Sequence, residues 1–125
     1  MYNKNQLNVL SLNAQGAGTV QSSTINNPYG RGIKLVVNVS AISGTSPSLV
    51  VTLQGHDPSR NVNYTLLASA AITAVGTTVL TVYPGLVAAA NSVANDVLPI
   101  QWNVKAVVSG TTPSVTATVG ASLQV

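Results

Sequence analysis

The chain has 125 residues, no cysteine and a formal charge of +3 from five basic and two acidic side chains. The missing thiols exclude disulfides, thiolate metal sites and cysteine nucleophiles, and the scattered Lys4, Arg31, Lys34, Arg60 and Lys105 can neutralise too few phosphates for nucleic-acid binding. With 46% hydrophobic and 6% charged residues, the surface must be built from hydroxyls, amides and backbone, groups cheaper to desolvate against a neighbour than ammonium or carboxylate.

A mass of 12.7 kDa fits one domain that removes roughly two thirds of its unfolded surface from water. No segment reaches the roughly twenty apolar residues of a membrane helix, and the opening Met1-Tyr-Asn-Lys-Asn-Gln lacks the apolar core of a secretory signal. Neither a membrane nor secretion is therefore expected.

Residues 1–32 are the least patterned part. The short run Leu7 to Leu12, the glycines Gly16 and Gly18, the run Thr19 to Ile25 and the turn formers Asn26 to Gly30 suggest one or two edge strands, or an arm reaching a neighbour. Within or beside this segment Tyr2, Lys4, Tyr29 and Arg31 are the candidate interface residues, since tyrosine gives a large contact area at low entropic cost and the two cations suit an acidic surface.

Residues 33–125 carry the main domain. Ile33, Leu35, Val37, Val39 and Ala41 alternate with Lys34, Asn38 and Ser40, the period-two pattern of a half-buried strand. Leu49, Val51 and Leu53 continue on one face, with Val50, Thr52 and Gln54 on the other. The stretch Gly55 to Asn61 is polar and expected as a surface loop. Tyr64, Leu66 and Ile72 belong to further extended pieces, and Thr77 to Tyr83 reads as a strong strand stopped by Pro84-Gly85. Leu86 to Ala94 is alanine-rich and ambiguous, with Asn91 and Ser92 weakening a helix. Leu98, Ile100, Trp102, Val104, Ala106 and Val108 form one apolar face, opposite Pro99, Gln101, Asn103 and Lys105; Val115, Ala117 and Val119 return beside it. The expected core is Leu35, Val37, Val51, Leu53, Leu80, Val82, Ile100, Trp102 and Val104.

One phrase occurs twice. Val39 to Leu53 returns 66 positions later as Lys105 to Val119, each copy an apolar run, a break of the type Ser-Gly-Thr-(Ser/Thr)-Pro-Ser, and a second apolar run. Each copy predicts a β-hairpin with its loop at Ser43 to Ser48 or Ser109 to Ser114. With seven or eight strands and no helix long enough for a crossover, the fold class is all-β: a single antiparallel β-sandwich with Greek-key connections, immunoglobulin-like or jelly-roll.

Chemistry is sparse. His56 adjoins Asp57, but no nucleophile or oxyanion site is marked, and Asp57-Pro58 fits an Asx turn. Asp57 and Asp96 are the two side-chain carboxylates, and nothing in the sequence makes them converge as a glycosidase pair. One histidine and two aspartates leave almost no first shell for calcium or zinc. No catalytic residue, metal or cofactor is expected, and the protein is read as no enzyme. Exposed tyrosines could instead form a sugar-stacking surface, although Trp102, Tyr64 and Tyr83 lie within apparent strands.

The residues Val51-Thr-Leu-Gln-Gly-His-Asp-Pro-Ser59, then Tyr64 to Val82 with Leu66-Leu-Ala-Ser-Ala-Ala-Ile72, then Val97-Leu-Pro-Ile-Gln-Trp-Asn-Val104 and Ser109-Gly-Thr-Thr-Pro-Ser114 resemble small virion structural proteins of tailed bacteriophages, the capsid decoration and minor head proteins. The resemblance covers residues 33–120. This sequence departs from the pattern at Asn103, where an arginine is expected after the aromatic.

The resemblance implies a non-enzymatic structural protein of a phage particle, made in the host cytoplasm and carried on the capsid surface of the virion. It implies the major capsid protein and further copies of itself as partners, the homo-oligomer being possible as a trimer at threefold positions. Alternatives are a phage tail or baseplate component, or a small carbohydrate-binding β-sandwich module.

Overall fold

The computed structural model describes residues 6–27 and 30–124. Among these, two long strands dominate: β4 (Gly32–Asp57) and β8 (Gln101–Gln124) run antiparallel beside each other for nearly their full lengths, from Gly32 opposite Gln124 to Gly55 opposite Trp102. Shorter strands flank them: β1 (Gln6–Gln15), β2 (Gly18–Gln21), β3 (Ile25–Asn26), β5 (Val62–Ala68), β6 (Gly76–Val82) and β7 (Val93–Ala94).

The partners fall into two rows. β1 pairs with the second half of β8 and β6 with the first half of β4, giving the order β1, β8, β4, β6, with β7 added parallel to β6. β2 and β3 pair with the first half of β8, and β5 with the second half of β4. Residues 6–26 thus enter the sheet as strands on β8.

This arrangement overturns the two expected hairpins. Neither Ser43–Ser48 nor Ser109–Ser114 reverses the chain; both lie inside the long strands, and the two copies of the repeated phrase pair with each other. Ser43 faces Ser114 and Ser48 faces Ser109. Exchanging the two copies, Ser43 for Ser109 and Ser114 for Ser48, turns the first pair into the second, so a pseudo-twofold axis passes between the copies. The turn chemistry serves another purpose. Left-handed residues occur at equivalent places, Gly44 (φ 115) with Gly110 (φ 124) and Ser46 (φ 49) with Thr112 (φ 45). They break the register between Val39 and Ser48 without ending the pairing. A six-residue hairpin would have paired only its own two arms, whereas pairing between copies satisfies the backbone along both strands.

The buried side chains form one cluster that takes in both halves of each long strand: Ile33 to Val39 and Leu49 to Leu53 from β4, Trp102 to Val108 and Val115 to Ala121 from β8, joined by Leu12, Leu67, Leu80, Val82 and Leu98. Trp102 is its largest fully buried member. Each fully buried large aliphatic contributes about 1.5–3 kcal/mol relative to exposure, and no helix among the described residues shares the work.

Several local expectations need correction. Ile100 is 77% exposed: it precedes β8, which begins at Gln101, so the alternation of Trp102 and Val104 does not extend back to it. Ala41 is exposed because the register shift after Val39 turns it off the core face. Thr52, Gln54 and Asn103 are buried although they alternate with core residues. Gly55 to Asp57 is strand, leaving only residues 58–61 as the turn. Leu86 to Ala94 contains no helix; a turn with Asn91 at φ 63 leads into β7.

The fold shown is therefore an all-β domain whose eight described strands are hydrogen-bonded into one sheet, antiparallel except for β7.

Candidate functional site

Of the four candidate interface residues, Tyr2, Lys4 and Tyr29 lie outside the described residues. Arg31 is exposed, and its backbone is fixed from both sides: its N–H donates to Gln124 at 2.7 Å, and its carbonyl accepts from Leu98 at 2.8 Å. Nearby, Asn27, a residue that the sequence did not single out, bridges to Gly30 and Leu98. Its amide nitrogen donates to the carbonyls of Gly30 (2.7 Å) and Leu98 (3.3 Å), and its amide oxygen accepts from the N–H of Gly30 at 2.7 Å. At 5% exposure Asn27 is a buried polar side chain whose amide is satisfied by backbone groups.

The histidine and the carboxylates do not form a catalytic set. His56 Nδ1 lies 2.8 Å from Asn63 Oδ1. Asp57 accepts from the N–H of Ser59 at 2.9 Å and pairs with the exposed Arg60 at 3.0 Å, an Asx turn closed by a surface ion pair. Asp96 accepts from the next backbone N–H, that of Val97, at 2.8 Å. Among the described residues no three His, Cys, Asp or Glu side chains are grouped to hold a metal ion.

What the second row carries instead is an uncharged polar relay. Asn103, fully buried, donates from Nδ2 to Asn63 Oδ1 at 3.0 Å, and the same oxygen meets His56. Gln54 lies opposite Asn103 across the strands. In this orientation the buried oxygens of Asn103 and Gln54 have no partner among the described residues. Beside the relay, the ring of Tyr64 covers Gly55, whose place could not take a Cβ without meeting that ring. Tyr64 itself is 44% exposed.

Charge is confined to few places. Lys34, Asp57 and Lys105 sit on the two central strands, and Arg31, Arg60 and Asp96 on connections, whereas β1, β2, β3, β5, β6 and β7 contain no Lys, Arg, Asp, Glu or Pro. Sheet edges are commonly blunted by charge or proline; these are not. Half-exposed Val36 and Val79 face each other across β4 and β6 on the outer side of the first row. A cleft of about 320 Å³ opens beside them, lined by residues 70–78 and Asn91.

No family model matches the chain, and no curated protein matches it. Among solved structures it is similar to two of infectious bursal disease virus. The Gx strain structure aligns over 95% of this chain and 31% of the other, with 13% identity and a TM-score of 0.45. The Gt strain structure aligns over 95% of this chain and 32% of the other, again at 13% identity, with a TM-score of 0.42. The chain thus spans about a third of the length of those chains.

Proposed function

We propose that this chain is a non-enzymatic structural protein of a virus particle, a subunit that decorates or stabilises an assembled capsid through contacts with the shell protein and with its own copies. The observation that carries the reading is the neutral periphery: every flanking strand lacks charge, so these strands can be covered by a neighbour without stranding an ion of their own, the exposed Lys34 lying on a central strand. The resemblance of residues 33–120 to tailed-bacteriophage virion proteins supplies the particle and the major capsid protein as partner; threefold placement rests on that resemblance alone. The exposed guanidinium of Arg31, on a backbone fixed by Gln124 and Leu98, is the described residue best placed for an acidic contact.

The scaffold suited to this role is a jelly roll, in our reading. Each long strand gives one half to each row of four, and one apolar cluster joins the buried faces of both rows. Two such rows folded face to face would make a jelly roll, and this strand order supports that reading over the immunoglobulin-like one.

The test is quantitative mass spectrometry of purified particles from the phage or virus that encodes the chain, combined with cross-linking. A fixed copy number relative to the major shell protein, with cross-links between the two, is the expected result. Absence of the chain from washed, intact particles rejects the reading.

A further inference from the structure

The sheet has four outer strand regions, and they differ in how well a further strand could add to them. β1 is interrupted by register shifts between Asn8 and Leu10 and again between Leu12 and Gln15. β2 and β3 are four and two residues long. β5 has a bulge at Leu66, and the carbonyl of Ala68 is taken by the side chain of Asn91 at 3.1 Å. β6 alone is regular, pairing with β4 without interruption from Val82 opposite Ile33 to Gly76 opposite Val39.

β7 covers only the far end of this edge. It pairs with Thr81 and Val82, and the outward N–H groups of Thr81 and Tyr83 donate to the carbonyls of Ser92 (2.8 Å) and Ala94 (3.2 Å). Backbone direction alternates along a strand, so Thr77 and Val79 point their N–H and C=O groups the same way. No described residue pairs with that side of Gly76 to Leu80. Val79 is 43% exposed, and around Gly76 no atom lies within 4 Å of where a Cβ would stand.

We infer that this open edge of β6 is a self-docking site, at which residues 76–80 of two copies pair antiparallel about a twofold axis through Thr78. The pattern of free groups is self-complementary. With Thr78 on the axis, Thr77 of each copy faces Val79 of the other, and each such pair exchanges N–H and C=O in both directions, so the free groups of both strands are satisfied together. Gly76 then faces Leu80 of the second copy, and its missing side chain leaves space there. The pairing stops where β7 begins. On the outer side, Val79 and its cross-strand neighbour Val36, both about two-fifths exposed, extend the contact with apolar surface.

A second copy suits this edge better than a charged peptide. The edge, the cleft beside it and β7 contain no charged residue, and the nearby Lys34 stands opposite Thr81, beyond the open stretch, so an ion docked along residues 76–80 would be desolvated without an opposite charge on the edge itself. The strand this chain itself offers, Gly-Thr-Thr-Val-Leu, is neutral and matches the open length. The inference goes beyond the proposed function, because it holds whether or not the chain belongs to a particle.

Sedimentation equilibrium of the full chain at micromolar concentration, paired with amide hydrogen exchange, tests it. Wild type is expected as a dimer in which the Thr77 and Val79 amides are protected. Val79→Pro removes an N–H that the β4 ladder does not use, and Val79→Lys places a charge on the edge; each should weaken dimerisation about 30-fold or more. Far-UV circular dichroism should stay unchanged for at least the lysine variant, with both amides exchanging fast. A monomeric wild type with rapidly exchanging Thr77 and Val79 overturns the inference, and so does a dimer that survives Val79→Lys in the folded protein.

Discussion

Gly44 lies against Pro113, and Gly110, its equivalent one repeat later, lies against Pro47. A Cβ on Gly44 would stand 2.8 Å from the Cα of Pro113 and 2.8 Å from the carbonyl oxygen of Thr112; one on Gly110 would stand 3.0 Å from the Cα of Pro47 and 2.8 Å from the carbonyl oxygen of Ser46. The reciprocal contact is what joins the two copies of the repeated phrase at their centre. Glycine is required there twice over, by close approach and by left-handed φ.

Gly44→Ala and Gly110→Ala should therefore each destabilise the fold by about 2–4 kcal/mol, the sum of left-handed strain and overpacking. Because the sites are equivalent, the two losses should be similar. Urea unfolding of both variants checks this, and a loss under 1 kcal/mol at either site would show that the copies are not locked through their glycines.

Trp102→Ala should cost about 3–5 kcal/mol, since the side chain is fully buried in the common cluster. Trp102→Phe should cost clearly less. The indole N–H has no hydrogen-bond partner among the described residues, so phenylalanine removes an unsatisfied donor along with some volume. Ile100→Ser, two positions away and exposed, should stay within about 0.5 kcal/mol of wild type. Thermal melts of the three variants give the order directly.

The relay from His56 to Asn103 makes a spectroscopic prediction. Turning over the amides of Asn63 and Asn103 preserves their shape and reverses the hydrogen bonds. Asn63 then donates to the buried oxygen of Asn103 and to His56 Nδ1. This orientation gives the otherwise unpartnered Asn103 oxygen a donor. Neutral His56 should accordingly carry its proton on Nε2, with an unprotonated Nδ1 seen in imidazole ¹⁵N shifts. A proton on Nδ1 would support the unreversed relay. Asn103→Ala should cost about 1–3 kcal/mol through the loss of its hydrogen bond to Asn63 and of a fully buried side chain's volume.

Strand identity was legible in the sequence and strand partnership was not. The alternation from Ile33 to Val39 and from Trp102 to Val108 marks the core face correctly, because period two follows from backbone geometry alone. The segments Ser43–Ser48 and Ser109–Ser114 carry glycine and proline in a turn-like order, but whether a left-handed residue reverses a chain or only kinks it depends on a partner strand some 66 residues away. The same limit applies to Asn103. Its opposition to Trp102 and Val104 identifies its face, while its burial depends on Asn63 from another strand. Ile100 fails for the converse reason: apolar periodicity continues past the point where β8 begins, at Gln101. At the candidate interface, the exposed side chain of Arg31 could be anticipated, but the burial of Asn27 involves the carbonyl of Leu98, which is distant in sequence.

The neutral periphery bears most directly on function, and the salt dependence of binding tests it. Full-length chain is added back to particles assembled without it, and saturation binding is measured at low and high ionic strength. Contacts made by uncharged strands should saturate at a fixed number of copies, with an affinity that changes little between the two conditions, since screening acts on charges. No saturable binding, or an affinity that collapses as salt rises, would contradict the proposal that this surface is built for neutral, lasting contact with a shell.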